Sequence, residues 1–267
     1  MSIKLVEKFS VNNDCYKANI NKINSKYIEF QKSGPKGGML HSVGTNQPKA
    51  SVFANTWNKS GKNVAVHAVI QQDGTCFQCL PWNFRGWHAG GSANNTHIGV
   101  EMTEPACIKY IGGATFTCSD VEAAKAHTIG CYNSAVELFA QLANEYGWDP
   151  LTDIISHSEG YKKGLASNHA DPEHLWKQLG LPYTMDTFRK DVKKFMEKYD
   201  EPIYRVRKSW ENSSSQIGAY RILDNAKKAC KDGYYVFDED GNIVYPENKE
   251  PQKKLCDKVC PYCPYQN

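Results

Sequence analysis

NVAVHAVIQQDGTCFQCL, residues 63–80, is two apolar, β-branched runs on either side of Asp73-Gly74. An Asp-Gly pair accepts the positive φ angles that a tight turn between strands demands, so the stretch predicts a β-hairpin. A third strand is expected in IGVEM, residues 98–102. Downstream, residues 119–146 open with Ser119 and carry Glu122 three positions later, the sequence form of a capping box. Ala135, Leu138, Phe139 and Leu142 then recur at helical spacing and predict a long amphipathic helix. MDTFRKDVKKFMEKY, residues 185–199, predicts another, with Phe188, Val192 and Phe195 on one stripe. Strands interleaved with helices predict an α/β fold, a mixed central β-sheet flanked by helices, in a first domain over residues 1–199.

The chain continues past a Pro-containing break. DEPIYRVRKSW (200–210) restarts a strand pattern, IGAYRILDNAKKACKDG (217–233) reads as a helix stopped by Gly233, and YYVFDEDGNIVY (234–245) as a hairpin on Asp240-Gly241. Residues 200–247 are therefore expected to form a small β-α-β-β module, better suited to binding than to a second active site. Residues 248–267 are polar and hold Cys256, Cys260 and Cys263. With no fourth ligand nearby, a mobile tail is expected there rather than a zinc knuckle.

Composition narrows the function classes. Of the 267 residues, 40% are hydrophobic and 23% charged, and no apolar run approaches the roughly 20 residues that span a bilayer. Stable membrane insertion is not expected. A net charge of +3 is too small to argue for nucleic acid, although a mildly basic surface suits an anionic polymer. MSIKLVEKFSVNND (1–14) lacks the apolar core and cleavage site of a secretory signal, so synthesis in the cytoplasm without such a signal is expected. Cys76 and Cys79 lie three residues apart on an expected strand. That spacing points their thiols to opposite faces and favours a structural over a redox role.

A hydrolytic zinc site needs three protein ligands and an open position, with His nitrogens and carboxylate oxygens the usual donors. Three segments supply candidates. In GGMLHSVGTNQP (37–48), His41 ends an apolar run just before a turn-rich stretch, where it reads equally as a groove residue or a surface histidine. In IGVEM, Ile98, Val100 and Met102 share one face and leave Gly99 and Glu101 on the other. A carboxylate amid an apolar strand is costly unless paired or exposed in a cleft, so Glu101 is a site candidate beside its reading as a solvated outer-face group. Trp87 and His88 precede a Gly-Gly loop and read equally as packing residues or as substrate contacts on a groove wall, for which Asn95 beyond the loop is a further candidate. His67 lines the groove or is a hydrogen-bonded structural histidine. In SHSEGYKKGLASNHADPEHLW (156–176), His157 and Asp171 meet on a metal if the intervening loop doubles back. His169 then sits beside it, and His174, followed by Leu175 and Trp176, starts a packing helix.

GGMLHSVGT, HAVIQQDGT, WHAG, NNTHIGVEM and the 156–176 segment occur in this order. Together they resemble the zinc-dependent N-acetylmuramoyl-L-alanine amidases, which share a fold with phage amidase-lysozymes and peptidoglycan-recognition proteins. The likeness covers roughly residues 30–180. It implies zinc held by His41, His157 and Asp171, with Glu101 as the catalytic carboxylate and His169 at a position often occupied by lysine, where it would stabilise the oxyanion. Val66 stands where some relatives carry a tyrosine, so a tyrosine-assisted route is not expected. The implied reaction is hydrolysis of the amide joining N-acetylmuramic acid to L-alanine in peptidoglycan, with a zinc-activated water whose proton Glu101 takes and passes to the leaving amine. The C-terminal module resembles the cell-wall-binding appendages of such amidases in Gram-positive bacteria and their phages. A phage or prophage endolysin released onto the wall is the expected setting. A bacterial autolysin, a glycoside hydrolase on the same polymer and a non-enzymatic peptidoglycan-binding protein are the alternatives.

Overall fold

A computed structural model of the chain describes residues 3–199, 202–220 and 223–246. The chain divides into two units, Met1–Lys198 and Tyr199–Asn267. In the first, the strands are β1 (Lys4–Glu7), β2 (Gly37–Ser42), β3 (Ala68–Ile70), β4 (Thr75–Gln78), β5 (His97–Met102), β6 (Ile108–Gly112), β7 (Thr115–Cys118) and β8 (Ile154–Ser156). Six of them form one mixed sheet in the order β1-β4-β3-β5-β2-β8. Every neighbouring pair is parallel except the β3–β4 hairpin, whose turn carries Gly74 at φ +84°. β6 and β7 pair separately as a second hairpin.

Helices cover both faces of the sheet. They are α1 (Asp14–Ile20), α2 (Ser25–Ser33), α3 (Ala50–Thr56), α4 (Val121–Tyr146), α5 (Pro150–Asp153), α6 (His157–Lys162), α7 (Glu173–Gln178) and α8 (Met185–Tyr199). Against one face, Leu138, Phe139 and Leu142 of α4 and Phe188 and Val192 of α8 pack with Leu40, Ile98, Val100, Met102 and Ile154. Full burial of such side chains contributes roughly 1.5–3 kcal/mol each. Against the other face, Ala50, Phe53 and Ala54 of α3 pack with Val66, Val69 and Cys79. Cys76 belongs to the first cluster and Cys79 to the second, so the two thiols do face opposite ways. Burial pushes the Cys79 thiol up to about 12, as expected of an inert structural cysteine.

Three local readings change. Asp120, not Ser119, caps α4: its carboxylate accepts from the Ala123 amide at 3.0 Å, while the Ser119 hydroxyl donates to the Cys107 carbonyl. The stretch after His157, expected to be all loop, begins as the helix α6. Residues 218–220, assigned from sequence to a helix, form a strand.

The second unit contains β9 (Tyr204–Arg207), β10 (Gly218–Tyr220), α9 (Leu223–Ala229), β11 (Tyr235–Phe237) and β12 (Ile243–Tyr245). β10 pairs antiparallel with β9, a ladder that a Gly-containing segment of poor helix propensity joins readily. The sheet order is β10-β9-β11-β12, and its core is small, centred on Val206, Ala226 and Val236. The expected tail over 248–267 lies outside the described residues. Among the described residues no helix is long and apolar enough to cross a membrane.

Candidate metal centre

The parallel strands β2, β5 and β8 run side by side, and their C-terminal ends open into a cleft of about 1070 Å³. This is where open α/β sheets commonly place their ligands. Register puts His41 directly beside Glu101 and Leu40 beside Ser156, so His157 follows the end of β8 next to His41. Alternation along β2 and β5 sends Leu40, Val100 and Met102 into the α4 core and leaves His41 and Glu101 to line the cleft.

His157 is fixed by its helix start. Ser156 caps α6 in a capping box: its hydroxyl accepts from the Glu159 amide (3.0 Å) and the Glu159 carboxylate accepts from the Ser156 amide (3.2 Å). Arg189 of α8 grips the same carboxylate with both guanidinium nitrogens, at 2.8 and 3.1 Å. The chain then doubles back. The Leu165 amide donates to the Gly160 carbonyl, Ser167 to that of Ala89, and Ser158 to that of Asp171, which returns Asp171 to the cleft.

The outcome is a buried trio. His41 Nδ1 lies 3.0 Å from His157 Nδ1 and 3.3 Å from an Asp171 oxygen, and His157 Nδ1 lies 3.7 Å from the other. Donors placed tetrahedrally about 2.0–2.1 Å from one zinc stand about 3.3 Å apart, so donor types and spacing both fit that ion.

Proton placement supports the fit. His88 Nε2 is 3.0 Å from the His97 carbonyl, which can only accept, so Nε2 carries the hydrogen. His88 Nδ1 is then a bare acceptor, and His41 Nε2, 3.0 Å away, must donate to it. That assignment leaves His41 Nδ1 unprotonated toward the trio, the second-sphere arrangement that orients a ligating histidine. Gly99 makes room for it, since a Cβ there would stand 2.3 Å from the His88 ring. Burial and the neighbouring His41 hold His157 down to about 4, so its ring is neutral. Burial alone would raise the Asp171 carboxyl, but the facing His41 and His157 rings outweigh it and bring the carboxyl below the usual range. Glu101 is raised well above it, by burial first and then by Asp171 and Glu104. Its Oε2 is buried without a hydrogen-bond partner.

Other expected residues separate. Trp87 lines the cleft, its indole donating to the Tyr27 hydroxyl at 2.9 Å. His88 lines it as well, but with both nitrogens engaged it supports His41. His169 is exposed on the rim, its ring centroid 4.3 Å from that of His157 and its Nδ1 3.1 Å from the Ser167 hydroxyl. His67 does not fit a substrate contact: it is fully buried, its Nε2 donates to the Phe84 carbonyl (2.7 Å) and its Nδ1 accepts from the Gly99 amide (3.0 Å). Asn95 faces elsewhere, accepting from Arg85 Nε at 2.7 Å. Its neighbour Asn94 lines the cleft instead, and its side-chain oxygen accepts from the amides of His88 and Ala89.

Sequence reasoning also missed a polar network beside the trio. Glu104, fully buried, accepts from the Ser42 hydroxyl (2.8 Å), the Gly44 amide (3.1 Å) and the Tyr110 hydroxyl (2.8 Å). Tyr110 lies 2.7 Å from His174 Nε2, and both rings line the cleft. The second carboxylate after IGVEM was the available signal; nothing local pointed to Tyr110, which arrives on a separate hairpin.

A family model described as N-acetylmuramoyl-L-alanine amidase matches residues 31–174, more than half of the chain. No curated protein matches it. Among solved structures, Staphylococcus aureus hydrolase AmiA, in complex with its ligand, is similar over 75% of this chain and 86% of its own, at 18% identity and a TM-score of 0.52. A likeness at that identity shows a shared fold. The catalytic domain of XlyA and a mutant endolysin from Bacillus subtilis are each similar at 18% identity over 71% of this chain and 99% of theirs, with TM-scores of 0.46 and 0.45.

Proposed function

Because the chain belongs to the N-acetylmuramoyl-L-alanine amidase family, we propose that it hydrolyses the amide between N-acetylmuramic acid and the L-alanine of the peptidoglycan stem peptide. One observation carries the reading. Two imidazole nitrogens and the Asp171 carboxylate meet within a few ångströms in a cleft that also holds the unpartnered Glu101.

Zinc held by His41, His157 and Asp171 would supply Lewis acidity for the scissile carbonyl and the attacking water. Glu101 Oε2, with no competing hydrogen bond, takes the proton of that water and returns it to the leaving amine. Its upward shift suits a carboxylate that must both accept and give back a proton near neutral pH. His169 on the rim donates toward the oxygen that gains charge, a contribution for which one lost donor typically costs on the order of 10²-fold in rate. Trp87 offers an apolar wall to the polymer.

On this reading residues 1–199 are the catalytic domain and 200–247 a wall-binding module. The second assignment is supported by Trp210, which lies 5.0 Å from Arg207 and 5.8 Å from Arg205 in cation–π geometry. The polymer lies outside the bacterial membrane, so the protein would act after release, as a phage or prophage endolysin does.

The test is digestion of purified cell walls with end-group analysis. New L-alanine amino termini without new reducing sugar ends are expected, and Glu101→Ala and His157→Ala should yield neither. Reducing ends from the parent chain, or parental rates in both variants, would refute the assignment.

A further inference from the structure

The β6–β7 hairpin forms one wall of the cleft, contributing Tyr110, Gly113 and Ala114. Its outer half is docked. Gln178 of α7 donates to the Ala114 carbonyl (2.7 Å) and accepts from the Phe116 amide (3.1 Å), and Tyr110 reaches Glu104 and His174.

Its neck holds two cysteines. Ile108 pairs with Cys118, and the Ser119 amide donates to the Cys107 carbonyl at 2.9 Å, so Cys107, in the turn just before β6, adjoins Cys118 at the end of β7. Both side chains pack against the cluster of Ile108, Phe116 and Leu175. The Cys118 thiol is an electrostatic neighbour of the Cys107 thiol, which donates to the Asp120 carbonyl at 3.2 Å, and both residues are only partly buried. In the same unit Cys15, Cys76, Cys79 and Cys131 are deeply buried, and burial pushes the Cys15 and Cys131 thiols up to about 12. Among the described cysteines of the first unit, Cys107 and Cys118 alone combine a thiol neighbour with access to solvent.

We propose that Cys107 and Cys118 are a disulfide-forming site that fastens the neck of this wall when the protein meets a small-molecule disulfide oxidant. The chemistry is thiol–disulfide exchange. One cysteine, as thiolate, attacks a sulfur of oxidised glutathione, forming a mixed disulfide and releasing one reduced glutathione. The second thiolate attacks the protein sulfur of that mixed disulfide, the Cys107–Cys118 bond forms, and the second glutathione leaves. Two protons and two electrons pass from the protein to the oxidant, giving two glutathione thiols. Closing a short loop restricts the unfolded chain more than the native hairpin, which already holds the thiols together, so the bond stabilises the fold.

The inference does not depend on the amidase reading, and its test is chemical. The full-length chain is incubated with oxidised glutathione, blocked with an alkylating agent, digested with trypsin and mapped by mass spectrometry. Trypsin cuts after Lys109, between the two cysteines, so only a disulfide keeps the peptides ending at Lys109 and beginning at Tyr110 together. The expected result is that linked pair, two hydrogens lighter than the sum of its reduced parts, and a melting temperature several degrees above that of the reduced chain. Cys118→Ser should instead carry glutathione on Cys107 and show no rise. Separate glutathione adducts on both cysteines of the parent, alkylation of both, or a linked form that melts no higher than the reduced one would overturn the proposal.

Discussion

His67 and His41 occupy neighbouring regions of the same sheet, and both are almost inaccessible to solvent, at 0% and 1% exposure. Around His67 the polar groups close on one another: one ring nitrogen donates to a backbone carbonyl and the other accepts from a backbone amide. Around His41 they do not close. Its Nε2 is used by His88, and its Nδ1 faces a second imidazole nitrogen and a carboxylate. Burial of a histidine therefore says little about chemistry; what distinguishes the two regions is a lone pair left over after the backbone has been satisfied.

Substitutions can break or sharpen that contrast. His41→Ala removes a proposed zinc ligand and should lower the wall-clearing rate by on the order of 10³-fold or more, read by turbidity of a cell-wall suspension. Glu101→Gln keeps the trio intact, so it should cost roughly 10²–10⁴-fold in rate while zinc content stays at the parental level. A matching loss of zinc would move Glu101 from proton transfer to metal binding. His88→Phe removes the acceptor that orients His41, and zinc affinity, measured by competition with a chelator dye, should fall about 10–100-fold.

The smallest effect on activity belongs to His67→Gln, whose amide can donate to Phe84 and accept from Gly99 as the imidazole does. Clearing should be unchanged, and the difference should appear in pH-dependent stability. Burial lowers His67 from its ordinary value of 6.5 to about 4, so the neutral ring is the native form. That stability is complete above pH 6.5 and is lost as pH falls through about 4. The loss approaches about 3 kcal/mol, because each tenfold drop in proton affinity on folding corresponds to about 1.4 kcal/mol. Thermal melts between pH 7 and 4 should show a shallower decline for His67→Gln than for the parent. Parallel curves would mean that His67 is not held neutral by its surroundings.

Much of the sheet could be read from local pattern. The alternation in IGVEM, the Asp73-Gly74 turn and the helical spacing after residue 121 are set by side chains within a few residues of each other. The errors occurred where distant groups decide. Ser119 and Asp120 are both good caps, and the competing bond from Ser119 runs to Cys107 in the turn before β6. Asn94 and Asn95 are indistinguishable in sequence, yet one faces the His88 loop and the other Arg85. The residues of the trio were identified by family resemblance, because their spacing in the chain, 116 residues from His41 to His157, carries no local signal. Glu104, Tyr110 and His174 form one network only because a hairpin and a helix meet over the ends of the strands.

Zinc content of the purified chain, measured by elemental mass spectrometry for the parent, His157→Ala and His67→Gln, tests the distinction between the two histidine regions most directly. The expected result is one equivalent less zinc in His157→Ala than in the parent and no change in His67→Gln. Equal zinc in the parent and His157→Ala, or a loss in His67→Gln, would contradict it.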